Sequence, residues 1–467
     1  MAGAMLHVEF LETSRGGRHL IWNGYTHRQN NKRDTWISWK CIDRYCRATI
    51  CTRNDVPSKI GQPHNHLPNH ASVNSRKILE SVRSRCRSET TPIPSIYDEE
   101  ITKLRDAPWD AQTLETAQKL PTFESKISAL YRTRQKLYPG IPNTRPRIQL
   151  EGKFRQTTSR EPFLHADDGD INKLLIFTTA ENLRQLCTAD TVYCDGTFYT
   201  APPMFDSIFT IHAFVGTAMF PLVYSLLPQR DADTYIRFFN LLKNIANQHN
   251  LNFHPDRVSL DFECASRNAV SHVFPNAQLR GCLFHYAKAI WKKTQEYGLQ
   301  TQYKDVPDVN KLVRSAAALP LLPLDRLEDY WLQALENAPQ SDACTKLTNY
   351  VILTWIEDRY PQPTWNHHQT ERPRTNNHLE GWNNKLKKSV KTAHSNIFEI
   401  INGFKKEQAS NEVKKVQYAA GGKMRGKAKK YREIEERFAT LRETLHNGTT
   451  DYIQYGDAAS YFLKLGN

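Results

Sequence analysis

The chain has few of the features that mark exported or membrane proteins. Its first residues, MAGAMLHVEFLETSRGG, lack the basic segment and apolar segment that together form a secretory signal, so export is not expected. Nine cysteines are scattered over 467 residues, and this odd number favours a reducing compartment with a local metal site over a disulfide scaffold. One apolar run, Ile208 to Leu227, could cross a bilayer as a helix, but its β-branched and aromatic residues, Gly216 and Pro221 predict two strands. We therefore expect no membrane segment.

Acidic residues are also scarce relative to basic ones. The chain has 49 Asp and Glu against 63 Lys and Arg, which gives a net charge of +14. Such an excess favours a polyanionic partner, and double-stranded DNA is preferred here over an acidic membrane surface. The length exceeds what one compact core accommodates, so several domains are expected.

The first 150 residues predict two modules. Residues 1–70 have short alternating runs rich in Trp, Tyr, Arg and Gly, which indicates a small β-rich domain. Residues 71–150 show helical periodicity interrupted at prolines, and this segment is interpreted as a DNA-binding or dimerisation element. Its later helices could form a helix-turn-helix, and a plain helical linker is the alternative. The last predicted helix carries the basic residues Lys126, Arg132, Arg134 and Lys136.

The rest of the chain predicts an α/β domain. Strands near 191–199, 206–215 and 218–227 are followed by two strand–helix units, which is the order of an RNase H-like fold with a mixed sheet. The first part of this catalytic core covers residues 151–295, and residues 296–370 carry only helical patterns and are interpreted as an insertion. The last core helix is expected within residues 371–410, and residues 411–467 are interpreted as a basic C-terminal tail.

A cluster of cysteine and histidine in the first module has metal-ligand spacing. Cys41-x4-Cys46 followed by His64-x-His66 provides two thiolates and two imidazoles, a tetrahedral zinc set. A domain of this size has little core, so a structural metal would contribute much of its stability. Cys51 and His70 are alternative ligands, and unrelated buried cysteines with loop histidines are the alternative without metal.

Four stretches of this module resemble the FLYWCH zinc-finger family. They are SRGGRHLIWNGYTH, the pattern W-x-x-W-K-C from Trp36 to Cys41, CRAT and HNH, and they cover most of residues 9–70. The resemblance implies zinc binding by the cluster and a module that contacts DNA or protein.

Three acidic residues occupy unusual places in the α/β domain. Asp195 interrupts an apolar and aromatic run, TVYCDGTFYTAP; Asp261 ends the strand RVSLDFE; Glu380 lies in the helix NNHLEGWNNKLKK. Taken singly, a turn, a helix cap and a solvated helix face would explain them. In an RNase H-like order, however, the three converge, and clustered carboxylates require cations.

Carboxylate oxygens suit Mg²⁺ or Mn²⁺, and two such ions roughly 4 Å apart support in-line phosphodiester displacement. Glu263 is a rival ligand on the face of Asp261, and Gly196 is interpreted as clearance beside the ions.

The same region resembles the Mutator-like element (MULE) transposases. The matching stretches are YCDGTFYTAPPMFDSIFTIHAF, FPLVYSLLPQRDADTY, SLDFECASRNAVSHVFPNAQLRGCLFHYAKAIWKK and RPRTNNHLEGWNNKL. The resemblance implies a DDE-type triad in which Asp195 bridges both metals while Asp261 and Glu380 each complete one site. It further implies cleavage at transposon terminal inverted repeats, joining of the 3′-hydroxyl to target DNA, at least a dimer, and action in the nucleus. A domesticated DNA-binding regulator without catalysis and a plain nuclease are the alternatives.

A second motif follows the strand AQLRGCLF. Cys282-x2-His285 matches a C-x2-H feature of this transposase group, and a buried structural pair is the alternative to a second zinc site. His367, His368 and His378 lie near Glu380 in sequence and are the candidate partners of such a zinc.

The segment around Glu380 is strongly basic. Residues 383–437 contain fifteen Lys or Arg against six Asp or Glu. A solvated helix face is the usual explanation, but the position beside Glu380 favours phosphate contacts. The candidates are Arg374, Lys385, Lys387 and Lys388, with Trp382 for stacking on an unpaired base. The segment KMRGKAKK, residues 423–430, is interpreted as a nuclear localisation signal or a DNA-binding arm.

Overall fold

A computed structural model describes residues 8–465 with the exception of 14–15, 90, 107, 137–139, 141, 358, 371–373, 375–376, 391–394 and 424–428. The chain divides into two compact units, Met1–Ile141 and Pro142–Asn467, and each is described by itself.

The first unit begins with a six-stranded antiparallel sheet whose strands follow one another in chain order. A two-residue loop, Asn23-Gly24, joins the second and third strands with positive φ at both residues, the conformation that twisted hairpins favour. Trp39 and Leu20 are buried in a small apolar core on one face. The strands are β1 (Glu9–Glu12), β2 (Arg18–Trp22), β3 (Tyr25–Arg33), β4 (Trp36–Cys41), β5 (Thr49–Arg53) and β6 (Val56–Ile60).

Four helices complete the first unit, in the segment where helical periodicity predicts them. Asn69 caps the first helix by accepting a hydrogen bond from the backbone N–H of Ser72, and Val82 and Ile96 lie in the core between the helices. Residues 120–122 alone separate the last two helices. The helices are α1 (His70–Ser88), α2 (Ile93–Thr102), α3 (Ala111–Lys119) and α4 (Phe123–Gln135).

The second unit is built on a seven-stranded mixed sheet. Its strands are β7 (Leu164–Asp168), β8 (Leu174–Phe177), β9 (Thr191–Thr197), β10 (Ser207–Val215), β11 (Ala218–Leu227), β12 (Arg257–Leu260) and β13 (Gln278–Gly281). Their order across the sheet is β13-β12-β9-β10-β11-β8-β7. β12 pairs in parallel with β9 and β13, and the other pairs are antiparallel. The sequence did not predict β7 and β8.

The apolar run 208–227 forms the antiparallel hairpin of β10 and β11, which confirms the prediction of two strands. Gly216 adopts a positive φ of 62° in the turn, a conformation that glycine allows without strain. No helix in the described part of the chain is long and apolar enough to cross a membrane.

Helices cover the sheet and follow the predicted strand–helix units. They are α5 (Ala180–Cys187), α6 (Ala232–Gln248), α7 (Cys264–Val273) and α8 (Leu283–Glu296). Asp231 caps α6 by accepting a hydrogen bond from the backbone N–H of Thr234. Phe209 and Phe238 pack edge to face with ring centroids 5.4 Å apart in the core between sheet and helix.

The remaining helices build a second core. They are α9 (Gln300–Asp305), α10 (Pro307–Ala318), α11 (Leu327–Glu336), α12 (Asp342–Val351), α13 (Asn377–Val390), α14 (Ile397–Ala419), α15 (Lys429–His446) and α16 (Tyr452–Ser460). The segment interpreted as a basic tail therefore contains two helices, and Phe438 and Tyr455 are buried against the residues of α10–α12. Its lysine-rich composition obscured these two core positions.

Candidate functional site

The four predicted zinc ligands come together at the end of the first sheet. One ligand atom from each of Cys41, Cys46, His64 and His66 lies within 4.8 Å of the others. The Sγ of Cys41 is 3.3 Å from Nε2 of His66, and the Sγ of Cys46 is 3.4 Å from Nδ1 of His64. A tetrahedral zinc with ordinary bond lengths separates sulfur and nitrogen ligands by about 3.5 Å, so the residues fit this ion.

Neighbouring groups orient the two histidines. Nδ1 of His66 is 3.0 Å from the carbonyl of Leu67, a hydrogen bond that leaves Nε2 free to bind metal. The ring of Tyr25 stacks on His64 at 3.6 Å, and its hydroxyl donates to the carbonyl of His66. The rival residues Cys51 and His70 are not part of the cluster.

Burial disfavours the charged forms of this cluster when no cation is bound. It raises the pKa of the Cys41 thiol and lowers the pKa of His64, so burial opposes charge on both groups. A zinc ion would supply the positive charge that stabilises the thiolates.

The register of two parallel strands sets two of the three predicted carboxylates side by side. β12 pairs with β9 so that Val258 lies opposite Val192 and Ser259 opposite Tyr193. Continued by two residues, the same register places Asp261 beside Asp195. Paired residues of parallel strands project to the same face, so both side chains lie on one side of the sheet.

The first turn of α13 brings the third carboxylate to the same place. Glu380 and Asn383 are three residues apart and therefore share a helix face. The side-chain amide of Asn383 donates a hydrogen bond of 2.8 Å to Oδ2 of Asp195. Sequence reasoning missed Asn383, although its spacing from Glu380 indicates the shared face.

The electrostatics of Asp195 reflect the neighbouring acids. Burial and the charge of Asp261, with a smaller effect of Glu380, raise the pKa of Asp195 to about 7. Two hydrogen bonds, from the backbone N–H of Gly196 and from Asn383, oppose this rise. Asp195 is only 9 % exposed, so its ionised form is poorly solvated.

The donor set suits hard divalent cations. Among ion pairs of the described residues, none involves Asp195 or Asp261. Among the described residues, the Cys₂His₂ cluster of the first unit is the only group of three or more possible metal ligands whose ligand atoms all lie within 4.8 Å of one another. The carboxylates therefore do not surround a single ion. Two ions about 4 Å apart would take their ligands from a wider spread than one ion does.

Aromatic residues between α12 and α13 contact Phe262, the residue that follows Asp261. The hydroxyl of Tyr360 donates a 2.7 Å hydrogen bond to the carbonyl of Phe262. The Phe262 ring packs edge to face on Trp355, with centroids 4.7 Å apart, and lies against Gly281 at the end of β13.

Two further residues considered for this site, Glu263 and Gly196, lie beside the carboxylates. Glu263, the rival ligand, accepts a 2.8 Å hydrogen bond from the hydroxyl of Tyr235, and burial raises its pKa. A Cβ on Gly196 would lie 3.6–3.7 Å from carbons of Phe198 and Phe209, which is ordinary contact. The interpretation of Gly196 as clearance beside bound ions stays a prediction.

His285 of the C-x2-H motif points towards the carboxylates. Its Nε2 is 3.8 Å from a carboxylate oxygen of Glu380, and burial lowers its pKa. Cys282 is buried at the N-cap of α8.

Nothing in the described part of the chain adds a third close ligand to Cys282 and His285. His367 instead meets the carbonyl of Gly281 through Nε2, and His368 meets that of Leu321. The side chain of His378 lies outside what the structure describes.

The predicted DNA-contacting residues differ in their exposure and in the side chains that they contact. Lys385 pairs with Glu407 at 2.5 Å, Lys387 lies over the ring of Tyr199, and Lys388 is exposed. The Arg374 guanidinium packs on Phe438. Trp382 is only 7 % exposed and packs on His212 and Tyr224, so its ring is covered.

In the first unit, Arg132 is exposed, Lys126 is partly exposed, and Arg134 donates to the carbonyl of Cys86. Residues 424–428 of the basic segment 423–430 lie outside the described residues.

Comparison with known families agrees with this arrangement. Residues 10–66 match the family model of the FLYWCH zinc finger domain, and residues 191–289 match that of the MULE transposase domain. A search of curated proteins found no significant match. These two matches, at 10–66 and 191–289, correspond to the architecture that the resemblance implied.

Proposed function

We propose that the protein is a DNA transposase of the Mutator-like class that cleaves DNA at transposon terminal inverted repeats and joins the freed 3′-hydroxyl to target DNA. The observation that carries the proposal is the meeting of Asp195, Asp261 and Glu380. The strand pairing that begins with Thr191 opposite Arg257 places the two aspartates side by side when the same register is continued. The hydrogen bond from Asn383 links the helix of Glu380 to Asp195.

The strand order supports an RNase H-like core. If the strands β9 to β13 are numbered one to five along the chain, their order across the sheet is 5-4-1-2-3. They include an antiparallel hairpin and two parallel strands. The α9–α12 helices lie in sequence between β13 and α13, which supports an insertion in that core.

The chain's own residues would bind and orient the reacting groups. Asp195, Asp261 and Glu380 would hold two Mg²⁺ or Mn²⁺ ions, which supply a nucleophile and stabilise the leaving oxygen. Asn383 orients the Asp195 carboxylate through its hydrogen bond. Nε2 of His285 lies 3.8 Å from a carboxylate oxygen of Glu380.

The same proposal covers the DNA partner, the oligomeric state and the cellular compartment. The zinc finger, the helices α1–α4 and the basic residues near Glu380 would hold the inverted repeats, and synapsis of two ends requires at least two chains. The net charge of +14 supports binding to DNA. Work on chromosomal DNA would take place in the nucleus.

A cleavage and joining assay tests this function. Purified protein is incubated with labelled transposon-end DNA and Mg²⁺ or Mn²⁺, and nicked and joined products are separated on a denaturing gel. Wild type should give both products, and Asp195→Asn, Asp261→Asn and Glu380→Gln should each give at least a hundredfold less. Asp256→Asn removes an exposed carboxylate just before β12 and should leave the products unchanged.

Each other outcome has one meaning. Binding of ends without nicking would favour a regulator, and cleavage without joining would favour a nuclease. Full activity in Asp195→Asn would reject the triad. If Glu263→Gln abolishes the products while Asp261→Asn does not, Glu263 is the ligand.

A further inference from the structure

Two aromatic side chains stand exposed beside the carboxylates. Phe198 is 44 % exposed and Tyr199 is 52 % exposed, directly after the end of β9. Their backbone is anchored, because Thr200 and Ala201 are buried and the N–H of Ala201 donates to the carbonyl of Phe198. The exposure of the two rings is therefore a property of an ordered segment.

Each ring carries a cation. The guanidinium carbon of Arg230 lies 4.2 Å from the centroid of Phe198, and Nζ of Lys387 lies 4.2 Å from the centroid of Tyr199. Among the residues that the structure describes, neither cation forms an ion pair with a carboxylate. Both cations therefore stand beside exposed rings without a carboxylate ion-pair partner among those residues.

The two aromatic–cation pairs border the carboxylate site. Phe198 and Tyr199 follow Asp195 by three and four residues. Lys387 lies seven residues after Glu380 on α13, and seven residues are close to two turns, so both project from the same helix face. Arg230 lies against the ring of Phe198, three residues after Asp195.

Exposed aromatic rings and unpaired cations are the combination that binds single-stranded nucleic acid. Bases stack on the rings while cations contact phosphates. Bases inside a duplex are stacked on one another and cannot use the rings. Trp382, the residue that the sequence suggested for stacking, is covered by other side chains.

We propose that Phe198, Tyr199, Arg230 and Lys387 bind an unpaired DNA strand at the edge of the carboxylate site. The rings stack on bases next to the reacting phosphate, and the two cations contact the adjoining phosphates. The inference rests on the proposed function, because it assigns the substrate of that same site as locally unpaired DNA.

Binding of defined oligonucleotides tests the proposal. The full chain is titrated in Ca²⁺ into a labelled blunt duplex and into the same duplex with three unpaired nucleotides, one of them 2-aminopurine. The double variant Phe198→Ala/Tyr199→Ala should bind the unpaired DNA about tenfold to hundredfold more weakly. Its affinity for the blunt duplex should change less than about threefold, and the quenching of 2-aminopurine by stacking should disappear.

Matched variants separate stacking from charge and from folding. Tyr199→Phe keeps a ring and should keep the quenching even if the alanine variants fold poorly. Tyr461 is another exposed tyrosine beside a cation: it is 69 % exposed, and the guanidinium carbon of Arg314 lies 4.5 Å from its ring centroid. Tyr461→Ala should change neither the DNA affinities nor the quenching. Lys387→Ala should lower the salt dependence, the slope of log K against log salt, by about 0.7.

Equal weakening on both DNAs, or unchanged quenching in the double variant, would overturn the proposal. Failure of the transposase function gives a different result: wild type would still prefer and quench the unpaired strand, but Mg²⁺ would produce neither nicks nor joined products.

Discussion

At the residue scale, Asp195 favours a bound cation and disfavours the folded state without one. Its carboxylate is buried, it faces the charge of Asp261, and only two hydrogen bonds support its ionised form. The pKa near 7 means that the metal-free protein holds a proton here that the unfolded chain releases.

The sign of the pH dependence follows from this shift. The folded-state pKa of about 7 lies above the ordinary value of 3.8, so the free energy of unfolding falls as pH rises between these values. Full ionisation costs about 4 kcal/mol, and Asp195→Asn loses one accepted hydrogen bond, about 1 kcal/mol. Without added divalent metal, Asp195→Asn should therefore be about 2–3 kcal/mol more stable than wild type at pH 8 and much closer to it at pH 4. Urea denaturation at both values measures the difference.

Two controls accompany this measurement. Asp256→Asn, at an exposed carboxylate, should show no such pH dependence. Added Mg²⁺ should raise the stability of wild type and not that of Asp195→Asn, because a ligand of the folded state stabilises it. Equal stability of Asp195→Asn and wild type at pH 8 would contradict the buried charge.

At the element scale, the helical region supports the strand end that carries Asp261. The ring of Phe262 is held between Trp355, Tyr360 and the backbone of Gly281. The hydrogen bond from Tyr360 to the Phe262 carbonyl fixes the same residue from its backbone. These contacts make the position of Asp261 depend on residues about 100 positions later in the chain.

Gly281→Ala tests this support. A Cβ at this position would lie 2.4 Å from the Phe262 ring, and the surrounding aromatic rings leave it little room to move. We expect the substitution to destabilise the second unit by about 1–3 kcal/mol and to lower strand cleavage, because Asp261 shifts with Phe262. Thermal denaturation and the cleavage assay measure the two effects.

Gly381→Ala is the matched glycine control. This residue lies inside α13 beside Glu380, without a positive φ and with no atom within 4 Å of an added Cβ. Alanine there should stabilise the protein by about 0.5–1 kcal/mol through helix propensity. Equal destabilisation by both substitutions would remove the special role of the Phe262 contact.

The elements that sequence reasoning found are those with a clear local pattern. The apolar run 208–227 with its central glycine predicted β10 and β11, and metal-ligand spacing predicted the finger cluster. β7 and β8 were missed because LLIF is only four residues long and LHADD carries two acids. The exposure of Phe198 and Tyr199 was not predictable, because their run reads as continuous strand while β9 ends at Thr197.

At the scale of the whole molecule, the two compact units are stabilised in different ways. The sheet of the first unit has a core of a few side chains and a Cys₂His₂ cluster. The second unit has two large apolar cores, one on its sheet and one among its helices. Zinc binding should therefore affect the folding of the first sheet and not that of the second unit.

Zinc chelation should unfold one part of the chain alone. Structural zinc contributes about 10–16 kcal/mol in zinc-finger peptides, so 1,10-phenanthroline should melt the finger at room temperature. Cys46→Ser should do the same without chelator, whereas Cys51→Ser should leave zinc content at one ion. Metal analysis and amide hydrogen exchange read out the result, and loss of protection across β9–β12 would contradict independent folding.

The parallel register of β9 and β12 also determines which changes in chain length the carboxylate pair tolerates. Successive strand residues alternate between faces, so deletion of one residue within 191–195 or 257–261 turns one aspartate to the opposite side of the sheet. The 61 residues between these two stretches form a hairpin, a helix and their connections, where a loop can lengthen or shorten without altering the pairing. Insertions and deletions can therefore be tolerated in the interval between Asp195 and Asp261, but not within the two short strands themselves.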